Sequence, residues 1–324
     1  MKLAKTLCAA LGFALAAGTL HAQEITLRSA DIHPDGYPTV EAVKYMGELV
    51  SERTKGRIKI EVMNNATLGN EKDTIEQTRF GVIDMNRVNA APFNNLVPET
   101  TVLGLPFIFR STEHMHKTVD GPIGEQVLAA FEPHGLIGLA FYDSGARSFY
   151  STKKPIEKLE DLKGMKIRVQ QSDLWIAMME AFGANPTPMP MGEVYSSLET
   201  GVVDGAENNW PSYESARHFE VAKNYTLTEH SLNPEILVIS KIAWDKLTPE
   251  DQTVVRQAAK DSVGKMRELW AAREKVSEEK VRAAGNTIIK VNKEEFSAAM
   301  KPVYDRFVTD PKMKALLEQV QAVQ

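Results

Sequence analysis

Cysteine is almost absent from this chain. Among 324 residues only Cys8 is present, and it lies close to the N-terminus. Disulfide bonds, thiolate catalysis and cysteine-ligated zinc are therefore excluded from the rest of the chain. Clusters of lysine and arginine are also lacking, and 43 acidic residues outnumber 38 basic ones. Because nucleic-acid binding needs a basic surface, we expect no nucleic-acid partner.

Apolar runs are too short throughout the chain to predict a membrane span. The N-terminal stretch "MKLAKTLCAALGFALAAGTLHAQEI" combines Lys2 and Lys5 with an uncharged run and small residues around Ala22. This combination is typical of a secretory signal peptide over residues 1–22, with cleavage expected before Gln23. Loss of its two lysines changes the formal net charge from −5 to −7. We therefore expect an exported, periplasmic protein.

Motifs of catalytic and cofactor-binding sites are missing as well. The chain contains no GxGxxG, GxxxxGK[ST], HExxH or GxSxG sequence. The sequence thus gives no reason to expect a nucleotide cofactor, a catalytic zinc ion or a serine nucleophile. We expect neither a cofactor nor a metal.

What the sequence does contain is a regular alternation of strand and helix patterns. "EITLRSADI", "RIKIEVMN" and "VIDMNRVNA" have the pattern of strands, and "PTVEAVKYMGELVSERTKG" and "NEKDTIEQTRFG" between them have that of helices. This order predicts a mostly parallel sheet with helices on both faces. A second series begins at "GLIGLAFYDSG", so the sequence predicts two α/β modules in tandem.

A very long helix is predicted near the C-terminus. Thr248 is a suitable N-cap, Pro249 suits the first helical position, and no helix breaker occurs before Gly285. Such a helix is on the order of 50 Å long, which exceeds the diameter of one module. We expect it to lie across both modules.

Polar residues recur where predicted strands end. "GMKIRVQ" alternates apolar and polar residues, which predicts a half-buried strand with Arg168 on its polar face. Taken singly, each polar residue is typical of a solvated loop, but their shared position after strands favours a ligand site. These candidate site residues are His33, Glu71, Asn89, Arg147, Arg168, Gln170 and Asn208.

Four longer stretches carry a family resemblance. "ATLGNEKDTIEQTRFGVIDM", "TVLGLPFIFR", "DLKGMKIRVQ" and "GANPTPMPMGEVYSSLETGVVDGAENNW" resemble the extracytoplasmic substrate-binding subunits of TRAP (tripartite ATP-independent periplasmic) transporters, DctP type. The resemblance implies a two-lobed α/β periplasmic binding protein with mixed or parallel sheets, helices on both faces and a long helix spanning both lobes. Lobe I would comprise residues 23–145 plus about 234–273, and lobe II residues 146–233 plus about 274–324. Its partners would be a small organic acid and the membrane permease, and we expect a monomer.

The resemblance also implies roles for the candidate residues. Arg168 matches the family's hallmark arginine, which pairs with the carboxylate of the ligand. Arg147 would be a second cationic contact and Asn208 a hydrogen-bond partner, and Glu71 matches a position where many members place a polar contact. Asn89 and His33 lie in loops that vary among members.

The abundance of donors and acceptors favours a sugar acid as the ligand. Glu71, Asn89, Gln170 and Asn208 offer more polar groups than a bare dicarboxylate or an aromatic acid would use. The stretch "HPDGYPTVEA" also resembles the sugar-acid-binding branch, so we expect a hexuronate such as D-glucuronate or D-galacturonate. A C4-dicarboxylate or another small carboxylate remains an alternative ligand. A secreted lyase or hydrolase that uses Glu71, Glu207 or His33 remains an alternative function.

Overall fold

The computed structural model describes residues 24–324, so the predicted signal peptide and its cleavage site lie outside the described residues. In this part of the chain the strands form two separate sheets. Helices cover both sheets, and none of those described is long and apolar enough to cross a membrane. Two sheets confirm the prediction of two α/β modules.

The first sheet is only partly parallel. It contains β1 (Ile25–Ala30), β2 (Ile58–Met63), β3 (Met85–Asn89), β4 (Leu136–Tyr142) and β10 (Glu235–Ser240). The strand order is β2-β1-β3-β10-β4. β1 is parallel to β2 and β3, whereas β10 is antiparallel to both of its neighbours. The predicted βαβαβ series β1 to β3 is parallel, as expected, whereas β10 runs in the opposite direction because the chain reaches it from the second sheet and not through a βαβ crossover.

The second sheet is mixed. It contains β5 (Arg147–Ser151), β6 (Lys166–Val169), β7 (Asn185–Pro188), β8 (Gly205–Asn208), β9 (Asn224–Ser231) and β11 (Thr287–Lys290), in the order β11-β9-β5-β8-β6-β7. β6 is the strand predicted to be half-buried. That prediction is wrong, because every residue of β6 after Lys166 is buried, including Arg168. Ile167 and Val169 pack in the hydrophobic core, and Arg168 on the opposite face is only 2% exposed.

The helices differ widely in length. They are α1 (Pro38–Arg53), α2 (Glu71–Arg79), α3 (Ala90–Phe93), α4 (Glu99–Gly104), α5 (Thr112–Asp120), α6 (Pro122–Ala129), α7 (Asp173–Ala181), α8 (Val194–Glu199), α9 (Trp210–Ser215), α10 (His218–Val221), α11 (Lys241–Trp244), α12 (Pro249–Ala283), α13 (Lys293–Ala298), α14 (Lys301–Phe307) and α15 (Pro311–Ala322). Short 3-10 turns occur at Glu132–His134, Leu159–Leu162 and Met191–Glu193.

Helix α12 confirms the prediction of a long, capped helix. It has 35 residues, and the Thr248 side chain accepts a hydrogen bond from the backbone N–H of Asp251 at its start. Gly285, with φ of 79°, follows its end. The helix packs on α1 and β4 of the first module and on α9, which packs with the second sheet. It therefore spans both modules, as expected.

The chain crosses between the sheets at residues 143–146, after β4, and at residues 232–234, before β10. One cluster of buried side chains extends across both modules, and each sheet also has a cluster of its own. The C-terminal helix α15 returns to the first module, where it contacts α4 and α6 and where Lys312 pairs with Glu99. The exact lobe boundaries stay a prediction.

Candidate ligand-binding site

The ends of strands from both sheets line one pocket between the modules, where open α/β folds place their ligands. Its lining includes all seven predicted site residues: His33, Glu71, Asn89, Arg147, Arg168, Gln170 and Asn208. Six further residues complete the lining: Ile32, Arg87, Met191, Asn209, Ser212 and Glu235. An adjoining chamber of about 470 Å³ shares His33, Glu71, Arg168 and Gln170 with this pocket. The two spaces therefore adjoin each other, and together they are called the cavity between the modules.

Arg168 is buried in this cavity without a counterion. Its Nε and Nη2 atoms both donate to the backbone carbonyl of Met189, at 3.0 and 2.7 Å. No carboxylate oxygen of residues 24–324 lies within 4.0 Å of its guanidinium, and Nη1 donates to no group of that range. Burial lowers the pKa of Arg168 below its usual value. A buried cation with spare donors is suited to an incoming anion.

Arg147 differs from Arg168 because it is already neutralised. Its Nε donates to Oε2 of Glu207 at 2.6 Å, and its Nη2 donates to Oε1 at 2.8 Å. Burial alone would raise the pKa of Glu207, but the Arg147 guanidinium holds it below the usual value. Arg147 also donates from Nη1 to Oδ1 of Asn208 at 2.8 Å. One N–H of Nη1 remains for a ligand, so Arg147 orients its neighbours and keeps one donor.

Asn208 and Gln170 present amide groups to the pocket. Asn208 Oδ1 accepts from Arg147 and from the backbone N–H of Asn209, while the only hydrogen bond that its Nδ2 donates within residues 24–324 is to the Met191 sulfur at 3.7 Å. Gln170 buries its Oε1 without any hydrogen-bond partner in the described chain. A buried amide oxygen normally finds a donor. Both amides therefore have hydrogen-bonding capacity left for a ligand.

The first module contributes His33 and Glu71 to the opposite wall. Burial lowers the pKa of His33 well below its usual value, with Arg87 adding to the shift. The ring is therefore neutral, and its nitrogens form no hydrogen bond within residues 24–324. Burial raises the pKa of Glu71 to about 6, although Arg87 opposes the shift. Glu71 Oε1 accepts from the backbone N–H of Asn89 at 3.2 Å.

Asn89 lies in the wall, but its side-chain amide is committed to protein groups. Nδ2 donates to Glu235 at 2.9 Å, and Oδ1 accepts from Nδ2 of Asn233 at 2.6 Å and from the backbone of Ala91. The geometry therefore gives Asn89 a positioning role, and direct contact with a ligand remains a prediction.

Sequence reasoning missed the ion-pair network around Arg87. This arginine is 1% exposed, and it donates from Nε to Asp31 at 2.8 Å and from Nη1 to Glu235 at 2.6 Å. A signal was present in "VIDMNRVNA", because a charge inside a fully buried strand needs a buried partner. Asp31 directly follows the first strand, whereas Glu235 is 148 residues away and its pairing could not be read from spacing.

Comparison with known proteins agrees with this geometry. The family model described as "Bacterial extracellular solute-binding protein, family 7" (DctP) matches residues 29–310. A TRAP periplasmic solute-binding protein from a Bradyrhizobium species, solved in complex with α/β-D-galacturonate, is 59% identical with a TM-score of 0.91 and covers 91% of this chain and 99% of its own. Another such protein, from Chromohalobacter salexigens with bound D-glucuronate, is 44% identical with a TM-score of 0.89. The match covers 92% of this chain and 100% of the Chromohalobacter chain.

A Citrobacter koseri TRAP solute-binding protein has been solved in two forms. The structure with bound D-glucuronate has a TM-score of 0.89 to this chain at 40% identity, and the apo, open structure has 0.82 at 39% identity. Each covers 92% of this chain and 99% of its own. The fold described above thus lies nearer to the ligand-bound form.

Proposed function

The chain belongs to the bacterial extracellular solute-binding proteins of family 7, and from this premise we propose that it captures a hexuronate for a TRAP transporter. As a TRAP solute-binding protein it is a transporter component that works with a membrane permease, and it is not an enzyme. The alternative of a secreted lyase or hydrolase is therefore wrong. The proposed ligands are D-glucuronate and D-galacturonate, which the similar proteins from Chromohalobacter and Bradyrhizobium contain.

The observation that carries the proposal is the unpaired guanidinium of Arg168. Burying a charge without a counterion is unfavourable, and a ligand carboxylate in the cavity would relieve that cost by pairing with Arg168. Arg87 and Arg147 already have carboxylate partners at 2.6 Å. Of the three arginines in the described pocket, only Arg168 can neutralise a ligand carboxylate. The pocket can therefore pair with one carboxylate and not with two, which favours a monocarboxylic acid over a C4-dicarboxylate.

The rest of the pocket favours a ligand with several hydroxyl groups. Gln170 Oε1 is a buried acceptor without a donor. His33, Glu71 and the Asn208 amide add donors and acceptors around the same cavity. A pyranose hydroxyl can both donate and accept, so a hexuronate can satisfy these groups while its carboxylate pairs with Arg168. We propose His33, Glu71, Arg147, Arg168, Gln170 and Asn208 as ligand contacts.

A thermal-shift and calorimetry screen tests the ligand. The purified protein without residues 1–22 is titrated with D-galacturonate, D-glucuronate, D-glucose and succinate. A ligand at about 100 times its dissociation constant adds roughly 2.7 kcal/mol to the free energy of unfolding. We expect stabilisation by one or both uronates and none by D-glucose, which lacks the carboxylate. Stabilisation by succinate and not by either uronate would overturn the hexuronate assignment.

We further propose that the protein acts as a periplasmic monomer after cleavage near Ala22. The family is extracytoplasmic, and the lysine-flanked apolar run at the N-terminus supports export by a signal peptide. Mass spectrometry of the exported protein checks the cleavage site, and light scattering checks the monomer. An exported form that still contains Cys8 would contradict cleavage at this position.

A further inference from the structure

A buried hydrogen bond joins the two modules beside the site. The hydroxyl group of Tyr37, at the start of α1, lies 2.9 Å from Oγ of Ser212, which is in α9 and lines the pocket. Tyr37 is 3% exposed and Ser212 is 2% exposed. The Tyr37 ring also stacks on His33, with the ring centroids 3.7 Å apart and the planes 7° apart. Because His33 and Ser212 both line the cavity, this contact between the modules directly adjoins the cavity wall.

A second contact joins the modules at the N-terminus of α7. Ser172 occupies the N-cap position of this helix, but its side chain forms no cap within the helix. Its hydroxyl instead donates to Oδ1 of Asn94 in the first module, at 2.8 Å. The neighbouring Asn95 accepts from the backbone N–H of Asp173 at 3.4 Å. A serine at the N-cap position normally accepts a hydrogen bond from a backbone N–H of its own helix. Here a side chain of the first module, Asn95, accepts a hydrogen bond from the first turn of α7 instead.

Both contacts adjoin segments that line the cavity. Tyr37 lies four residues after His33, and Ser172 lies two residues after Gln170, whose backbone carbonyl accepts from the backbone N–H of Ser172. Asn94 is held in place by hydrogen bonds from its Nδ2 to Ala90 and Thr100. Any movement that separates the modules by more than about 1 Å at these points breaks the bonds, since a hydrogen bond tolerates little lengthening.

We propose that Tyr37–Ser212 and Asn94–Ser172 are two clasps that hold the modules together over the bound solute. The proposal rests on the proposed function, because it concerns how that same site retains its ligand. In a binding protein with an open and a closed form, the measured affinity depends on the fraction of molecules that can close. The clasps exist only in the closed form, so they raise that fraction and slow the release of solute. The affinity is therefore set partly by protein groups that need not contact the ligand.

Tyr37→Phe is the sharpest test, because it removes the hydroxyl group and retains the ring that stacks on His33. Tyr142→Phe is a matched control. The hydroxyl group of Tyr142 forms an equally buried hydrogen bond with Ser262, at 2.7 Å, between β4 and α12 in the core of the first module. Both substitutions delete one buried tyrosine–serine bond, but only the first deletes a bond between the modules.

Two measurements separate the outcomes. Stopped-flow release of D-galacturonate is expected to be about 3- to 10-fold faster in Tyr37→Phe than in wild type, the range of one net hydrogen bond, and unchanged in Tyr142→Phe. The second measurement is the fraction of closed molecules without ligand, by single-molecule energy transfer between two dyes. The dyes are attached at Glu52→Cys and Glu199→Cys, which are exposed positions in different modules. We expect fewer closed molecules in Tyr37→Phe only.

Further variants bear on the pairing itself. Tyr37→Phe combined with Ser212→Ala should release ligand no faster than the more affected single variant, because the two groups share one bond. Ser172→Ala added to Tyr37→Phe should accelerate release further. Release rates and closed fractions of Tyr37→Phe equal to those of Tyr142→Phe would overturn the clasps. If wild type binds neither D-galacturonate nor D-glucuronate, the hexuronate assignment fails, whereas the ligand-free closed fraction still tests the clasps.

Discussion

At the scale of single residues, the site contains three buried arginines in two different states. Arg87 and Arg147 each have a carboxylate partner at 2.6 Å, whereas Arg168 has only the Met189 carbonyl. Removing one member of a buried ion pair leaves an uncompensated charge and destabilises the protein. Removing Arg168 leaves no such charge in the ligand-free protein. The three arginines should therefore respond differently to substitution.

Arg168→Ala is expected to abolish most of the affinity without destabilising the ligand-free protein. The loss of a desolvated pair with the ligand carboxylate costs about 3 to 5 kcal/mol, or roughly two to four decades in affinity. Arg168→Lys should restore part of it, because an ammonium group retains the charge but not the planar fork. Calorimetry with D-galacturonate and thermal melts without ligand measure both effects. Arg282→Ala, on the exposed face of α12, is the control, and wild-type affinity in Arg168→Ala would remove the anchor from the proposal.

The raised pKa of Glu71 predicts a dependence of stability on pH. Its pKa rises from an ordinary value near 4.5 to about 6, mainly through burial. Its contribution to stability is therefore complete below pH 4.5 and is lost as the pH rises through 6. Relative to Glu71→Gln, wild type should lose up to about 2 kcal/mol of unfolding free energy between pH 4.5 and 7. Urea denaturation without ligand checks this, and parallel pH profiles for the two proteins would contradict it.

At the scale of secondary-structure elements, the long helix and strand β6 show how local pattern and packing differ. Helix α12 follows its local signals, from the Thr248 cap to the glycine after its end. Strand β6 has the alternation of a half-buried strand, yet Arg168 and its neighbours are buried on both faces. Capping depends on residues a few positions apart, whereas burial depends on which segments pack over the strand.

Thr248→Ala is expected to lower the free energy of unfolding by about 1 kcal/mol, because α12 loses its N-cap. The Thr248 hydroxyl also donates to Asp251, which pairs with Arg57 of the first module. Thr253→Ala, on the exposed face one turn later, is the control and should change stability little. Denaturation curves measure both variants, and uronate affinity should be unaffected in each. A loss in Thr248→Ala no larger than in Thr253→Ala would show that the cap is unimportant.

At the scale of the whole molecule, two modules face a common cavity and are joined by two crossovers and helix α12. A ligand that contacts both modules binds the closed form better than the open one, and so shifts the population toward closure. The proposed contacts meet this condition, since Arg168 and Asn208 belong to the second sheet and His33 and Glu71 lie beside the first.

Small-angle scattering is expected to show a smaller radius of gyration with saturating D-galacturonate than without it, because closure brings the modules together. The Arg168→Ala variant at the same ligand concentration serves as the control and should keep the ligand-free curve. Identical curves for wild type with and without a ligand that calorimetry shows to bind would contradict closure.

Most of the fold and the positions of the candidate residues could be predicted from sequence alone. Hydrophobic periodicity and capping act over a few residues, so the two α/β modules and α12 were predictable. The polar residues after strands were also predictable, and all seven of those candidates line one pocket. The antiparallel β10 was missed, because strand pairing depends on where a distant segment returns to the sheet.

Which groups remain free for a ligand was decided only by the tertiary structure. Arg147 pairs with Glu207 across 60 residues, and Arg87 pairs with Glu235 across 148. Sequence spacing gives no means of telling these arginines from Arg168. The clasps between Tyr37 and Ser212 and between Asn94 and Ser172 also join distant residues. A side chain's type is local information, but its burial and its partners depend on the packing of the whole chain.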